Sequence, residues 1–213
     1  MYITKSDIYS GCLIASISHA VMTNLYPDLS YEQSWDGANY SIQDSSGIRG
    51  TITFENDFCI GAIRNENSSN IVGNELLQEH MKNFPENVIS KAYEETLQYL
   101  LLQKGEIVAP YVTSIFWADD NALHYEEEFV DCIKEDFVLL KNIVVPKKIA
   151  IEKWKEYYDM DSKAIDLIDM LYQQKMKDLF SIIKMNEQQR KLIPGPHINN
   201  QCIESLNELN IFI

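Results

Sequence analysis

"SWDGANYSIQDSSGIRGTITFENDFCIGAIRNE", residues 34–66, decides how the chain is read. Tyr40 and Ile42 alternate with polar residues, Ser45-Ser46-Gly47 offers a turn, and Ile48, Ile52 and Phe54 resume with period two. Asn56-Asp57 turns the chain again, and Phe58, Ile60 and Ala62 alternate once more. Side chains of a strand point alternately to its two faces, so this pattern describes half-buried strands joined by tight turns. The spacing predicts a three-stranded antiparallel meander. Three strands with one apolar face need a cover.

The nearest cover lies upstream. From Asp7 to Leu25, Ile8, Cys12, Ala15, His19 and Met22 recur at helical spacing, Leu13, Ile17, Ala20 and Val21 widen the apolar face, and Pro27 closes the segment. Ser6 is placed to cap it. Downstream of a polar loop at 66–74, short helical patterns run from Glu75 to Phe84 and, behind Asn87, from Val88 to Lys104. Residues 106–118 mix β-branched and aromatic residues with Pro110, which suits an extended segment but not a central strand. Leu123, Val130, Ile133, Phe137, Leu140 and Val144 then form a helical stripe over Asn121–Val144. Helices from Ile149 to Tyr158, from Asp161 or Ser162 onward with a seam of Ile165, Ile168, Tyr172, Met176, Leu179 and Ile183, and from Asn200 to Leu209 complete the pattern.

The expected fold class is α+β: an N-terminal helix packed on a three-stranded antiparallel β-meander, followed by a mostly helical C-terminal half. One domain over residues 1–213 is expected, with possible subdomains at 1–105 (helix, meander, helix) and 106–213 (helical). A chain of 213 residues buries about 70–75% of its unfolded surface, enough for a core without disulfides or metal.

Thirty-two acidic against 18 basic residues give a net charge of −14. Such a surface repels the phosphate backbone and anionic membranes, and it steers association toward a basic protein. Nucleic acid and membrane are therefore excluded as expected partners. Cys12, Cys59, Cys132 and Cys202 lie far apart among apolar neighbours with no C-x-x-C spacing, the usage of reduced buried cysteines, which points to the cytoplasm. No stretch is long and apolar enough to span a bilayer.

Three places carry candidate chemistry. The segment "DDNALHYEEEFVDCIKED", 119–136, holds eight carboxylates against Lys134. Asp119, Asp120, Glu126, Glu127, Glu128, Asp131 and Glu135 are its candidate partner-binding residues, Glu128, Asp131 and Glu135 forming a ridge opposite the apolar stripe. Cys12 becomes a candidate nucleophile if the first helix starts at Ser10, because a thiol in the first turn is activated by the exposed N–H groups. His19, seven residues on and about 10 Å away, is too far to be its base. Trp35, Asp36, Arg49 and Arg64 can line a face of the meander, the arginines reading a carboxylate or phosphate; alternatively the arginines pair with Glu55, Glu66 or Asp44. No calcium-loop, phosphate-loop, nucleophile-elbow, H-E-x-x-H or dinucleotide pattern occurs, so no metal or cofactor is expected.

These observations favour a non-catalytic acidic binding protein that engages or inhibits a basic partner, the profile of a toxin-neutralising immunity protein, an antitoxin or an anti-defence inhibitor. The alternatives are a small cysteine-dependent hydrolase or transferase using Cys12, and a structural subunit of a homo-oligomer.

Overall fold

The computed structural model of the protein describes residues 3–68, 74–126, 140–178 and 181–213. In chain order the first elements are α1 (Lys5–Met22), β1 (Gln33–Asp36), β2 (Asn39–Gln43), β3 (Ile48–Phe54), β4 (Cys59–Asn65), α2 (Asn74–His80) and α3 (Glu86–Glu94). A 3-10 turn (Thr96–Leu100) leads to β5 (Leu101–Lys104), β6 (Ile107–Pro110), β7 (Ser114–Ala118) and β8 (Leu123–His124). The remainder comprises α4 (Lys147–Tyr158), α5 (Ser162–Lys177), β9 (Ile183–Lys184), α6 (Glu187–Arg190), α7 (Asn200–Glu208) and β10 (Ile211–Phe212). The chain forms two compact units interleaved in sequence: Met1–Ser6 with Ala38–Lys141, and Asp7–Gly37 with Asn142–Ile213.

In the first unit the expected meander is present and is extended by two strands, giving the order β2-β3-β4-β7-β8 with antiparallel neighbours. The register divides the sheet into two unlike faces. On one, Ile60, Ala62 and Ile115 meet Leu77 and Met81, Val88 and Ala92 of α3, and Leu97 and Leu100 of the 3-10 turn in a buried apolar cluster. Toward β2 and β3 the same face turns polar, with Asn39, Ser41, Arg49, Thr51, Thr53 and Arg64 in register. The Thr53 hydroxyl donates to Asn39 Oδ1 at 2.7 Å and lies 2.7 Å from the Thr96 hydroxyl, so this half of the face is tied by hydrogen bonds instead of apolar contact.

The opposite face carries Tyr40, Ile52, Ile63, Phe116 and Ala118, all buried. Gly61 stands across from Phe116, and a Cβ at Gly61 would lie 2.3 Å from Phe116 Cζ. The glycine is what lets the ring lie flat over β4.

In the second unit α1 is buried around nearly its whole circumference from Gly11 to Met22, which explains why apolar and small residues fill it without a polar stripe. Gly11 marks a close approach: a Cβ there would sit 1.9 Å from the Ile143 carbonyl oxygen. Ala164, Leu167, Ile168, Leu171 and Tyr172 form the buried face of α5, while Cys202 and Leu206 form that of α7. Side chains close the helix ends: Asp161 accepts from Ala164 N, Asn199 accepts from Cys202 N, and Asn186 with Gln189 makes a capping box. Asn24 ties the chain after α1 to the Pro194–Asn199 loop, its Nδ2 donating to the carbonyls of Pro194 (2.7 Å) and His197 (2.8 Å) and its Oδ1 accepting from Asn199 N (2.7 Å).

Several sequence expectations are corrected. The helix expected over Val88–Lys104 ends at Glu94, because the Thr96 hydroxyl is held by Thr53 and the tighter 3-10 turn drops Leu97 and Leu100 into the core; β5 follows. The helix expected over Asn121–Val144 is absent from Asn121 to Glu126, where β8 pairs with β7 instead, and residues 127–139 lie outside the described residues. The seam expected in the last long helix shifts: Met176 is 38% exposed, Ile183 leaves the helix for β9, and Leu179 is outside the described residues. Trp35 and Asp36 lie in β1, a strand the sequence pattern does not predict. The C-terminal half is less purely helical than expected, since residues 106–126 contribute three strands. Among the described residues, no helix is long and apolar enough to cross a membrane.

Candidate functional site

The acidic segment begins at the turn between β7 and β8. Asp119 builds that turn: its Oδ1 accepts from the backbone N–H groups of Asn121 (2.7 Å) and Ala122 (2.9 Å). These bonds to the charged form, Ala122 first, hold its carboxyl down to about 2. Its Oδ2 lies 3.5 Å from His124 Nε2. The turn sets Trp117 opposite His124, and the two rings stack with centroids 4.0 Å apart and planes 14° from parallel.

Glu126, buried, follows the hairpin and is fixed by Asn83, whose backbone N–H donates to Oε1 (3.1 Å) and whose side-chain amide donates to Oε2 (2.9 Å). Behind it, burial pushes the His80 imidazole down to about 4, with Glu126 pulling the other way. Between Asn83 and Phe84 on one side and Trp117, His124 and Glu126 on the other runs a groove of about 520 Å³. Lys82 and Tyr125 also line it. An aromatic floor beside a fixed carboxylate suits a cationic side chain, which gains both a charge-assisted bond and a ring contact.

Of the acidic residues singled out in the sequence, Glu126 lines this groove and Asp119 reaches its His124, both engaged in local bonds, whereas Asp120 is exposed at the turn. Glu127, Glu128, Asp131 and Glu135 lie outside the described residues.

Cys12 sits in the interior of α1, eight positions into the helix, with no exposed surface. It is therefore not in a first turn, and the activating N–H groups expected for a start at Ser10 are absent from it. Cys12, Cys59 and Cys202 are all free and buried. Trp35 is occupied within the second unit: its ring N–H donates to Ser16 Oγ at 2.6 Å, its backbone N–H donates to Glu208 Oε2 at 2.9 Å, and its ring meets Tyr9 edge-on. Asp36 follows it on β1. Arg49 and Arg64 belong to the first unit, directly opposite one another on β3 and β4, and both reach Glu66.

Sequence reasoning missed the groove because its parts come from separate segments: Asn83 and Phe84 follow α2, and Trp117 and His124 flank a turn read as helix. The Asp-Asp-Asn run at 119–121 was the available signal, since Asx residues favour turns. It also missed a buried polar cluster in the second unit. There the Tyr158 hydroxyl and His19 Nδ1 are hydrogen-bonded at 2.9 Å, and the Tyr157 hydroxyl donates to both oxygens of the buried Glu32 at 2.8 and 2.9 Å. Trp154 stacks on Tyr158. Among the described residues, no group of three or more His, Cys, Asp or Glu side chains is placed to hold a metal ion. Compared with known proteins, the chain matches no family model, no curated protein and no solved structure.

Proposed function

We propose that this protein is a non-catalytic binding module that engages a basic protein partner through the acidic segment 119–136. The observation that carries the reading is the charge of that segment, eight carboxylates against one lysine, in a chain of net charge −14. Its first residues leave the sheet beside a groove that offers a fixed carboxylate and an aromatic floor. Clustered like charges repel within the segment, and lysines or arginines of a partner relieve that repulsion. Association driven this way is fast and falls steeply with salt. An inhibitor that masks a basic toxin or nuclease has this profile, and the meeting would take place in the cytoplasm, where thiols such as Cys12, Cys59 and Cys202 stay reduced.

The test uses the whole chain as bait against extracts of its source cell, followed by titration of any captured basic protein. Reversing Asp120, Glu128, Asp131 and Glu135 to lysine spares the bonds of Asp119 and Glu126. The expected result is at least tenfold weaker binding and a loss of salt sensitivity. Capture that the reversal leaves unchanged, or no capture at low salt, overturns the proposal.

A further inference from the structure

Arg49 and Arg64 form a directly opposed cross-strand pair on β3 and β4. Like charges in that arrangement repel. Among the described residues they share one carboxylate, with Glu66 Oε1 lying 3.6 Å from Arg49 and 3.5 Å from Arg64. Those separations exceed the roughly 2.7–2.9 Å of a tight charge-assisted bond. The Glu66 side chain is 50% exposed, and that of Arg64 only 4%. Arg64 also donates to the Leu100 carbonyl at 3.3 Å, yet the Nε–H groups of both arginines are buried with no acceptor among the described residues. Burial, together with Arg49, lowers the Arg64 pKa, and Glu66 opposes this.

Among the described residues the pair thus holds two positive charges against one negative, with two unmet donors on the polar half of the sheet face. We infer that Arg49 and Arg64 form an anion site for a phosphate monoester, with Glu66 as the resident counter-ion that the ligand displaces. A guanidinium presents parallel donors that match phosphate oxygens, and the planar forks of two arginines can grip one group from two sides. Charge selects the ligand. A carboxylate would only replace Glu66 at equal charge, whereas a phosphate monoester carries about −1.5 to −2 and neutralises both arginines. Glu66 stands just beyond the end of β4, half in water, so its release breaks no core contact. The acidic chain as a whole opposes an anion, but that field is screened beyond about 10 Å at 0.1 M salt, while the arginines act in direct contact. This site is distinct from the acidic segment and takes a ligand of opposite charge.

The test titrates the full chain with inorganic phosphate, acetate and chloride at one ionic strength, reading the arginine Nε–Hε resonances by NMR and the heat of binding by calorimetry. Phosphate is expected to shift the Arg49 and Arg64 signals saturably, and acetate and chloride are not. Arg49→Gln, at the more exposed position, should weaken phosphate at least tenfold in a folded protein even if Arg64→Gln fails to fold. Glu66→Gln should tighten it at least threefold, which a purely structural Glu66 would not do. No saturable shift, equal shifts with acetate or chloride, or a Glu66→Gln protein that binds phosphate no better overturns the inference.

Discussion

Trp117 and His124 are cross-strand partners whose rings stack at 4.0 Å, and the Asp119 carboxylate reaches the same imidazole from the turn between them. A two-residue strand such as β8 has little ladder to hold it, so this ring contact supplies much of its attachment. His124→Ala should lower stability by about 0.5–1.5 kcal/mol in urea unfolding. Amide exchange should accelerate at Leu123 and His124 while β3 and β4 stay protected. Uniform exchange across the sheet would contradict the local role.

His19 gives the second unit a defined acid sensitivity. Its Nδ1 lies 2.9 Å from the Tyr158 hydroxyl and its Nε2 3.4 Å from the Ser30 carbonyl, both inside the protein. Burial lowers its pKa from 6.5 to about 4. The unfolded chain therefore takes up the proton first as pH falls. Stability contributed by the neutral ring is complete above about pH 6.5 and is lost between there and about pH 4, by about 3 kcal/mol. His19→Gln, compared with the parent by urea unfolding from pH 7 to pH 4, should show a shallower decline. Parallel pH profiles would refute the assignment.

Gly61 and Phe116 form a size-matched pair. Since a Cβ at Gly61 would lie 2.3 Å from the ring, Gly61→Ala should destabilise the protein by about 1–3 kcal/mol. Phe116→Leu creates room but leaves a void, and also costs stability by itself. The double variant should be more stable than the sum of the two single losses implies, by at least about 0.5 kcal/mol in a double-mutant cycle. Strict additivity would show that the backbone moves instead.

Asn24 holds the Pro194–Asn199 loop by three bonds. Asn24→Ala leaves the Pro194 and His197 carbonyls and the Asn199 N–H without that partner, at an expected cost of about 1–3 kcal/mol. Limited proteolysis should then cut near Gly195 before any other site. A cleavage pattern unchanged from the parent would remove the loop-fixing role.

The meander was legible because period-two alternation and turn residues act locally, between neighbours in the chain. Two helix starts were legible for the same reason, Asp161 and Asn199 capping by bonds to residues three positions on, whereas Ser6 and Asn87, expected as caps, lie inside α1 and α3. What escaped was decided at a distance. Thr53 and Thr96 meet across 43 residues and stop a helix that periodicity would continue. Asn83 fixes Glu126 across 43 residues, and His19 meets Tyr158 across 139, so neither pair leaves a mark in any short window. Arg49 and Arg64 were legible as neighbours on a sheet, but that one glutamate serves both was not.

The interleaving of the two units fixes an order of events during synthesis. All the segments of the first unit have been made by Lys141, whereas residues 7–37 belong with 142–213. At about 5–20 residues per second, α1 waits on the order of ten seconds after it emerges before its partners exist. During that interval α1, buried from Gly11 to Met22 in the finished protein, lacks the later helices of its own unit. Chaperone demand and temperature-sensitive aggregation of this protein should therefore track nascent-chain length, peaking before Asn142 appears and falling once the helices beyond it emerge.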